Sequence, residues 1–310
     1  MGIVVIGATF VDIKGFPLDA YIPTGRNAGR IEYIHGGVAR NVCEDIANLE
    51  LRPTYVGIVD DSPLGADVMQ KLRRHKVNVD HVLVRPDGMG TWLAVFNEEG
   101  DVAGSISRRP NMLPLAQLLE EQGDEIFREA DSVVIEADLD KEIVKKALEL
   151  AQKHTVKAFA MVSNMSIAME RRDFLQRFDC FICNQQEAGL LFYEDFDGFT
   201  PRQLQEALRE KVLRAKIPAM VVTMGAQGAV YADRTGDSGV CPAKKVRVRD
   251  TTGAGDAFCA GVSAGLTYGK TLPEAIGIGS LLAASVITSS ENVCPRFHPA
   301  ELGLVGTFSG

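Results

Sequence analysis

The chain has 310 residues, of which 46% are hydrophobic and 24% are charged, and its formal net charge at pH 7 is −8. This composition is typical of a folded protein with a large buried core, and it excludes an intrinsically disordered chain. The acidic balance argues against a nucleic-acid partner, because proteins that bind the phosphate backbone concentrate basic side chains on one face.

Along the chain, short β-branched runs alternate with amphipathic stretches. This pattern predicts an α/β protein in which mostly parallel strands are joined by crossover helices. The predicted strands are Ile3 to Ile6, Thr54 to Ile58, Ser132 to Glu136, Lys157 to Val162, Cys180 to Cys183 and Ala219 to Thr223. The predicted helices are Arg40 to Leu49, Leu64 to His75, Lys141 to His154, Arg202 to Ala215, Ala254 to Leu266 and Pro273 to Thr288.

Two of these helices have recognisable starts. Asp61 or Ser62 stands before Pro63, and Thr200 stands before Pro201. Proline at the first helical position loses no needed hydrogen bond, and a short polar side chain before it accepts one from the first turn. We therefore expect capped helices at both places.

Two segments, at about residues 12–36 and 88–109, interrupt the alternation. They contain glycines, aromatic residues and alternating runs such as Arg30 to Ile34 and Thr91 to Phe96, which predict antiparallel strands. The sequence Asn97-Glu98-Glu99-Gly100 predicts a turn between two of them. We predict a single domain, residues 1–310, in which these strands form a small β lid inserted into the α/β body.

The cysteines and the first residues indicate the cellular compartment. Six cysteines in a chain of this length do not form a dense disulfide framework. The apolar run from Ile3 to Ile6 is too short for a signal peptide or a membrane span. We therefore expect a cytoplasmic protein without a membrane partner. Cys180 and Cys183 form an isolated C-x-x-C in an apolar run, and we interpret them as residues of a buried strand.

The segment most suggestive of chemistry is Asp250-Thr251-Thr252-Gly253-Ala254-Gly255-Asp256, a turn that runs into an apolar helix. The first amides of a helix have no internal partners and lie at its positive end, so those of residues 253–255 would suit a phosphoryl group. A carboxylate at Asp256 would stand beside that group and accept the proton of an attacking hydroxyl. Asp256 would equally serve as a helix cap, and the residues alone leave both roles open.

This segment resembles the C-terminal signature of the ribokinase-like (PfkB) carbohydrate kinases. Gly36-Gly37-Val38-Ala39-Arg40-Asn41 resembles the paired-glycine motif of the same family, about 210 residues earlier. The run from Gly57 to Gly65, followed by Val77 to Asp80, is similar to the family's segment after its second strand. The resemblance covers nearly the whole chain. It implies a ribokinase-like three-layer α/β/α body with a small lid, and an ATP-dependent kinase for a hydroxyl of a small sugar or nucleoside.

The resemblance also implies roles for individual residues. Asp256 matches the catalytic base, and Gly253, Ala254 and Gly255 match the anion hole. The substrate-binding residues would be Asp12, Lys14, Gly36, Gly37 and Asn41. The ATP-binding residues would be Asn184, Glu187, Thr223, Gly225 and Gly228. Glu187 would also position Mg²⁺ through water, although the pair with Asn184, taken without the family, is better interpreted as a capped helix start.

A monovalent cation raises activity in many relatives. Asp250 and Thr252 match the first half of that site, and the second half would lie within residues 285–292. That second segment lacks the usual glycine-containing loop of the sugar kinases. Dependence on K⁺ is therefore an expectation carried by the first half alone.

The variable residues of the motifs indicate the acceptor. Gly36 to Asn41, Asp12 to Gly15 and Gly90 to Leu93 look most like the pseudouridine kinases, so the leading expectation is phosphorylation of the 5′-hydroxyl of pseudouridine. Ribose, fructose and purine nucleosides are alternative acceptors, and a non-catalytic sugar or nucleoside sensor is an alternative of another class. Arg108 and Arg109 depart from the pseudouridine subgroup, which would suit a different nucleoside or a substrate that already carries a negative group.

Relatives of this family often dimerise through their lid strands, and the resemblance implies a homodimer here. The apolar residues Ile31, Tyr33, Trp92 and Val95 would suit such an interface, and they would equally suit packing of the lid onto the substrate. A dinucleotide-dependent oxidoreductase is excluded, because Gly7 is followed by Ala8 and Thr9 instead of the glycines that allow a pyrophosphate to approach a helix start.

Overall fold

The computed structural model describes residues 2–304, without the side chains of residues 170–172. Within that range the strands form one nine-stranded and one four-stranded sheet. The strands are β1 (Ile3–Ile6), β2 (Phe10–Pro17), β3 (Gly29–Gly36), β4 (Thr54–Val59), β5 (Val82–Val84), β6 (Gly90–Phe96), β7 (Val102–Arg108), β8 (Ser132–Glu136), β9 (Lys157–Met161), β10 (Cys180–Asn184), β11 (Ala219–Thr223), β12 (Ala229–Asp233) and β13 (Ser238–Cys241).

The α-helices are α1 (Val38–Asn48), α2 (Pro63–Arg74), α3 (Pro114–Arg128), α4 (Lys141–His154), α5 (Met165–Ala168), α6 (Gln185–Phe192), α7 (Pro201–Ala215), α8 (Ala254–Thr267) and α9 (Leu272–Ile287). Short 3-10 helices span Met169–Arg177, Gly225–Gln227 and Pro299–Leu302. Among the helices so described, none is long and apolar enough to cross a bilayer.

The large sheet runs in the order β13-β12-β11-β10-β9-β8-β1-β4-β5. It is parallel from β11 to β5 and antiparallel at the β12–β13 edge. Helices cover both faces, and side chains of β1 show how: Val4 and Ile6 enter the core that contains α3, α4 and α7, whereas Ile3 and Val5 enter the core with α1, α2, α8 and α9. A strand buried on both faces reads as a continuous apolar run. The predicted three-layer α/β/α fold is confirmed.

The small sheet runs in the order β3-β2-β6-β7. The pairs β2–β3 and β6–β7 are antiparallel hairpins, as predicted, but the central pair β2–β6 is parallel. The reason is that the two hairpins come from separate parts of the chain and join first strand to first strand. The four strands lie in and beside the two segments predicted to form the lid.

The register of the small sheet places Trp92 and Tyr33, which the sequence analysis grouped together, on different faces. Trp92 pairs with Asp12, so both point to one face, whereas Tyr33 pairs with Ile13 on the opposite face. That opposite face exposes Ile31, Tyr33, Leu93 and Ile106, here called the outer lid face, whereas Ile13 on the same side is partly buried against the core with α1, α2, α8 and α9. The grouping of Trp92 with Ile31, Tyr33 and Val95 on one face was wrong, because strand parity cannot be counted across turns of unknown register.

Both predicted helix starts are confirmed. The Ser62 hydroxyl accepts a hydrogen bond from the amide of Gly65 at 3.2 Å. The Thr200 hydroxyl accepts one from the amide of Gln203 at 3.4 Å, as part of a capping box. Predicted and observed element ends differ by one or two residues, the scale on which helix and strand ends fray.

Candidate active site

The residues predicted to bind the acceptor and to act as base lie together. Asp12 is on β2 of the small sheet, Asn41 is in the first turn of α1, and Asp256 is in the first turn of α8. The side-chain amide of Asn41 donates a hydrogen bond from Nδ2 to Oδ2 of Asp256 at 2.6 Å. Gly36 is close to Asp12, since a methyl group built on it would lie 2.8 Å from Oδ1 of that carboxylate. Residues over 200 positions apart in the chain thus form one cluster.

The turn before α8 has the shape of an anion cradle. Gly253 adopts the left-handed conformation, with φ 81° and ψ −6°, and a Cβ there would lie 2.0 Å from the carbonyl oxygen of Asn292. By contrast, a Cβ on Gly255 would meet no heavy atom within 4 Å. The amide of Ala254 donates to the carbonyl oxygen of Thr251 at 3.2 Å, so the open space for a phosphoryl group lies beside Gly255.

The electrostatics of Asp256 suit a general base. The pKa of its carboxyl is raised to about 6: burial and the neighbouring carboxylates of Asp12 and Glu187 raise it, while the hydrogen bond from Asn41 and the charge of Arg40 oppose the rise. A base is most effective when its pKa lies near the working pH. Burial also raises the pKa of Asp12, and Lys14 and Arg40 partly offset that rise.

The paired glycines let α1 begin close to the loop after β1. Gly37 is the residue before α1 and has φ 93°, which favours glycine. A Cβ on Gly37 would lie 2.6 Å from the carbonyl oxygen of Ala8 and 2.9 Å from the amide of Phe10. Neither approach leaves room for a side chain. This close contact places Asn41 next to the small sheet.

On the nucleotide side, Asn184 ends β10 and caps α6. The amide of Glu187 donates to Oδ1 of Asn184, and the amide of Asn184 donates to Oε2 of Glu187, each at 2.8 Å. The capped-helix interpretation is therefore confirmed as a structural role. This box occupies Oε2 of Glu187 and does not require Oε1. Burial and the charge of Asp138 raise the pKa of Glu187, so a cation nearby would offset an unfavourable concentration of negative charge.

The predicted ATP-binding residues continue on the neighbouring strand. Thr223 ends β11 and pairs in register with Asn184. Gly225 begins the 3-10 turn that follows, and Gly228 ends it with φ 99°, where a Cβ would lie 2.1 Å from the carbonyl oxygen of Cys241. All five residues thus lie at the carboxyl ends of adjacent parallel strands, the edge of an α/β sheet where ligands bind.

The two halves of the predicted monovalent-cation site also meet. Oδ1 of Asp250 accepts a hydrogen bond from the amide of Thr252 at 2.9 Å, which lowers the pKa of Asp250. The preceding residue, Arg249, donates from its amide to the carbonyl oxygen of Ile287 at 2.7 Å. Segment 285–292 therefore lies beside Asp250, while the binding of a cation there stays a prediction.

The two arginines that depart from the pseudouridine pattern are both paired with carboxylates of the chain. Arg108 donates to Asp87 at 2.5 Å, and Arg109 donates to Oδ2 of Asp138 at 2.9 Å. Asp138 is buried and also accepts a hydrogen bond from the Ser163 hydroxyl at 2.7 Å. These pairings argue against a substrate whose own negative group would need either arginine.

Several residues of the site were not predicted. Asp138 follows β8 by two positions, and Glu136 ends that strand, where its Oε2 accepts from the amide of Ala8 at 2.7 Å. Burial and the charge of Asp138 raise the pKa of Glu136 to about 8. The pattern Glu-x-Asp at the end of a buried strand was the available signal. Asn292, which contacts Asn41, had no such signal, because its partners His35 and Asn41 are more than 250 positions away. The partners of Arg40 all lie within five residues of it, so its omission had no such cause.

Comparison with known proteins identifies the family. The model of the pfkB family of carbohydrate kinases ("pfkB family carbohydrate kinase") matches residues 2–294. The guanosine-inosine kinase of Exiguobacterium acetylicum is 37% identical over 292 residues, covering 94% of this chain and 95% of the relative. The pseudouridine kinase of Escherichia coli K12 is 24% identical over 306 residues, covering 94% and 93%.

Solved structures show the same fold. The Arabidopsis thaliana ribokinase, solved with ribose and ATP, matches with a TM-score of 0.83 at 19% identity over 99% of both chains. The Sinorhizobium meliloti adenosine kinase matches with a TM-score of 0.77 at 23% identity, covering 97% of this chain and 98% of that chain. The chain belongs to the pfkB family of carbohydrate kinases, which confirms the predicted family, the ribokinase-like fold and the assignment as an ATP-dependent phosphotransferase.

Proposed function

We propose that the protein transfers the γ-phosphoryl group of ATP to the 5′-hydroxyl of a purine nucleoside, with guanosine and inosine as the first candidates. The observation that carries the chemistry is the Asn41–Asp256 contact, 2.6 Å long, beside the open space at Gly255. The similarity to the guanosine-inosine kinase, 37% identity over 94% of the chain, supports the choice of acceptor.

The proposed reaction uses the described geometry directly. Asp256 takes the proton of the acceptor hydroxyl, the freed oxygen attacks the γ-phosphorus, and ADP leaves. The amides of Gly253 and Gly255 stabilise the charge on the migrating phosphoryl group, while the amide of Ala254 holds the turn through Thr251. The acceptor is held by Asp12, Lys14, Gly36, Gly37 and Asn41. Asp12 contributes by accepting hydrogen bonds from its vicinal hydroxyls.

The nucleotide would lie along Asn184, Glu187, Thr223, Gly225 and Gly228. Mg²⁺, when bound, would neutralise charge on the transferring phosphates, and Glu187 would hold it through water. A monovalent cation at Asp250 and Thr252 would support the turn that forms the cradle. The raised pKa of Glu187 fits Mg²⁺ beside Glu187, because a nearby positive charge would stabilise the buried carboxylate in its ionised form.

We further propose that residues 1–310 act as one kinase domain, with the small sheet as the lid over the acceptor. The outer lid face exposes Ile31, Tyr33 and Ile106, at 65%, 57% and 70%, and would pair two copies into a homodimer. The six cysteines are free, which supports a cytoplasmic location.

Pseudouridine is the second candidate acceptor. Gly36 to Asn41 resembles the motif of the pseudouridine kinases, and the E. coli pseudouridine kinase matches 94% of the chain at 24% identity. The lower identity ranks it after the purine nucleosides. Ribose and fructose rank third, since the chain shares its fold with a ribokinase at 19% identity.

An acceptor panel tests the substrate class. ATP and Mg²⁺ would be combined in turn with guanosine, inosine, pseudouridine, ribose and fructose, and ADP formation would be measured. We expect kcat/KM to be highest for guanosine or inosine. Phosphorylation of free sugars but of no nucleoside would refute the assignment, and binding without ADP formation from any acceptor would favour a sensor.

The variant Asp256→Asn tests the base. We expect turnover to fall by about 10²–10⁴ while ATP affinity, measured by calorimetry, stays close to that of the wild type. Asp80→Asn, which alters an exposed carboxylate outside the site, is the matched control. Near-full turnover of Asp256→Asn would refute the mechanism.

A further inference from the structure

Arg40 is fully buried in the first turn of α1, next to Asn41. Its Nε donates to the carbonyl oxygen of Gly36 at 3.2 Å, and its Nη1 forms an ion pair with Glu44. Its Nη2 donates to the carbonyl oxygen of His35 and to Oδ1 of Asn41. A buried guanidinium with all arms engaged is held in one orientation, so it is a rigid support for whatever it touches.

These contacts decide which way the Asn41 amide faces. Oδ1 of Asn41 accepts from Arg40 and also from Nδ2 of Asn292, at 3.3 Å for the latter. With its oxygen between two donors, the amide turns its NH₂ group towards Oδ2 of Asp256. The flipped amide would place NH₂ against two donors and oxygen against the Asp256 carboxylate, so the hydrogen bonds to Arg40, Asn292 and Asp256 would all be lost.

The charge of Arg40 acts on the same carboxylate. The groups that face Asp256 are Asp12 from the small sheet, Arg40, Asn41 and Asp45 from α1, Glu187 from α6 and Cys259 from α8 itself. Asp12 and Glu187 raise the pKa of Asp256, whereas Arg40 and the Asn41 hydrogen bond lower it. Burial raises the pKa of both Asp45 and Cys259, and the Asp256 carboxylate raises them further.

We propose that Arg40 is a positioning residue for Asp256: it fixes the orientation of the Asn41 amide, which holds the Asp256 carboxylate. The effect of this positioning on catalysis rests on the proposed function. The contacts of Arg40 with Asn41 are independent of that function. Arg40 stands at a variable position inside the paired-glycine motif, so the role is assigned from its contacts in this chain. Removing it should release the amide and move the titration of Asp256 to higher pH.

A purely structural role for Arg40 makes a different prediction. Arg40 neutralises Glu44, whose Oε1 also lies 3.2 Å from Nζ of Lys71. If charge balance with Glu44 were its whole purpose, replacing both Arg40 and Glu44 by neutral residues would leave the side-chain amide of Asn41 in its place against Asp256. Removing Arg40 alone leaves the buried Glu44 carboxylate without its guanidinium partner and endangers folding. Removing Glu44 alone leaves Arg40 hydrogen-bonded to Gly36, His35 and Asn41.

The test therefore uses the double variant Arg40→Met/Glu44→Gln, with Glu44→Gln as the matched control that keeps Arg40. The ¹³C resonance of the Asp256 carboxyl, assigned by its loss in Asp256→Asn, would be titrated in the protein without substrates. The wild-type midpoint is expected at about pH 6. It should rise by about one pH unit in the double variant, and the side-chain ¹⁵N–¹H resonances of Asn41 should shift with it; neither change is expected in the control. An unchanged midpoint in the double variant would overturn the proposal.

Should circular dichroism show that the double variant does not fold, Arg40→Lys replaces it. Lysine keeps the positive charge beside Glu44, but one ammonium cannot also span to the Asn41 oxygen. The side-chain ¹⁵N–¹H resonances of Asn41 should then shift, and the Asp256 midpoint should rise. Retention of both signals at their wild-type values would overturn the proposal.

Kinetics separate this proposal from the proposed function. With an active acceptor, the acidic limb of the kcat/KM profile should move in the same direction as the carboxyl titration. If the wild-type protein phosphorylates no acceptor, the proposed function fails, while the titration still tests Arg40. If the limb stays in place although the titration moves, Asp256 is not the base, and the positioning contact stands without its catalytic consequence.

Discussion

Replacing Gly255 with alanine should separate activity from stability at the start of α8. A Cβ at this second helical position meets no heavy atom within 4 Å. Alanine also loses less backbone entropy than glycine in a helix, so stability should stay constant or rise by about 0.5–1 kcal/mol. The methyl group would nevertheless occupy the proposed phosphoryl cradle. Displacing the phosphoryl group from one amide donor should lower kcat by about 10²–10³, which corresponds to about 3–4 kcal/mol.

Gly253→Ala is the matched comparison, two residues earlier. Alanine in the left-handed conformation costs about 1–2 kcal/mol, and its Cβ would lie 2.0 Å from the carbonyl oxygen of Asn292, so backbone must shift as well. Stability and turnover should therefore fall together. Thermal unfolding would measure stability, and ADP formation with guanosine would measure turnover. Wild-type kcat in Gly255→Ala would refute the cradle, and a lowered melting temperature in that variant would refute the open space beside it.

Three further outcomes are expected. With a pKa of about 6, the ionised fraction of Asp256 falls from about nine-tenths at pH 7 to about one-tenth at pH 5, so kcat/KM should drop about tenfold over that range; a flat profile would contradict this. Ser62→Ala removes the hydrogen bond from the amide of Gly65 and should lower the free energy of unfolding by about 1 kcal/mol in urea titration, whereas an unchanged midpoint would mean that the cap contributes nothing. Ile106→Lys, on the outer lid face, should shift the sedimentation coefficient from dimer to monomer, while Leu213→Lys on α7 should not; identical behaviour of the two variants would remove the proposed interface.

The body of the fold was largely predictable because its signals are local. Buried parallel strands appear as apolar runs, and β1 shows this with four buried residues in succession. Helix α3 was missed for a physical reason: Gly123 stands in its middle and weakens the helical pattern. A Cβ on Gly123 would lie 2.3 Å from Cδ1 of Leu150, so the glycine permits close packing of α3 against α4. The glycine is favoured here by tertiary packing, and intrinsic helix propensity does not include that contribution.

In the candidate site, too, contacts between adjacent residues could be predicted and contacts between distant residues could not. Gly253, Gly255 and Asp256 belong to one turn, so their joint placement could be inferred from adjacent residues. The contact of Asn292 with Asn41 could not, because it joins positions 251 residues apart and depends on how α9 ends. Likewise, a single residue of register decides whether Trp92 faces Asp12 or the outside, and no turn signal in the sequence fixes that register.

The small sheet and the start of α8 carry different parts of the proposed reaction. Asp12 and Lys14 belong to β2, whereas Asp256 and the amides around it belong to the helix layer beneath. During evolution, substitutions in the two hairpins would change which alcohol binds and would leave unchanged the residues that transfer the phosphoryl group. Such a modular arrangement would let one scaffold diversify across ribose, nucleosides and other polyols, as the varied names of its relatives suggest.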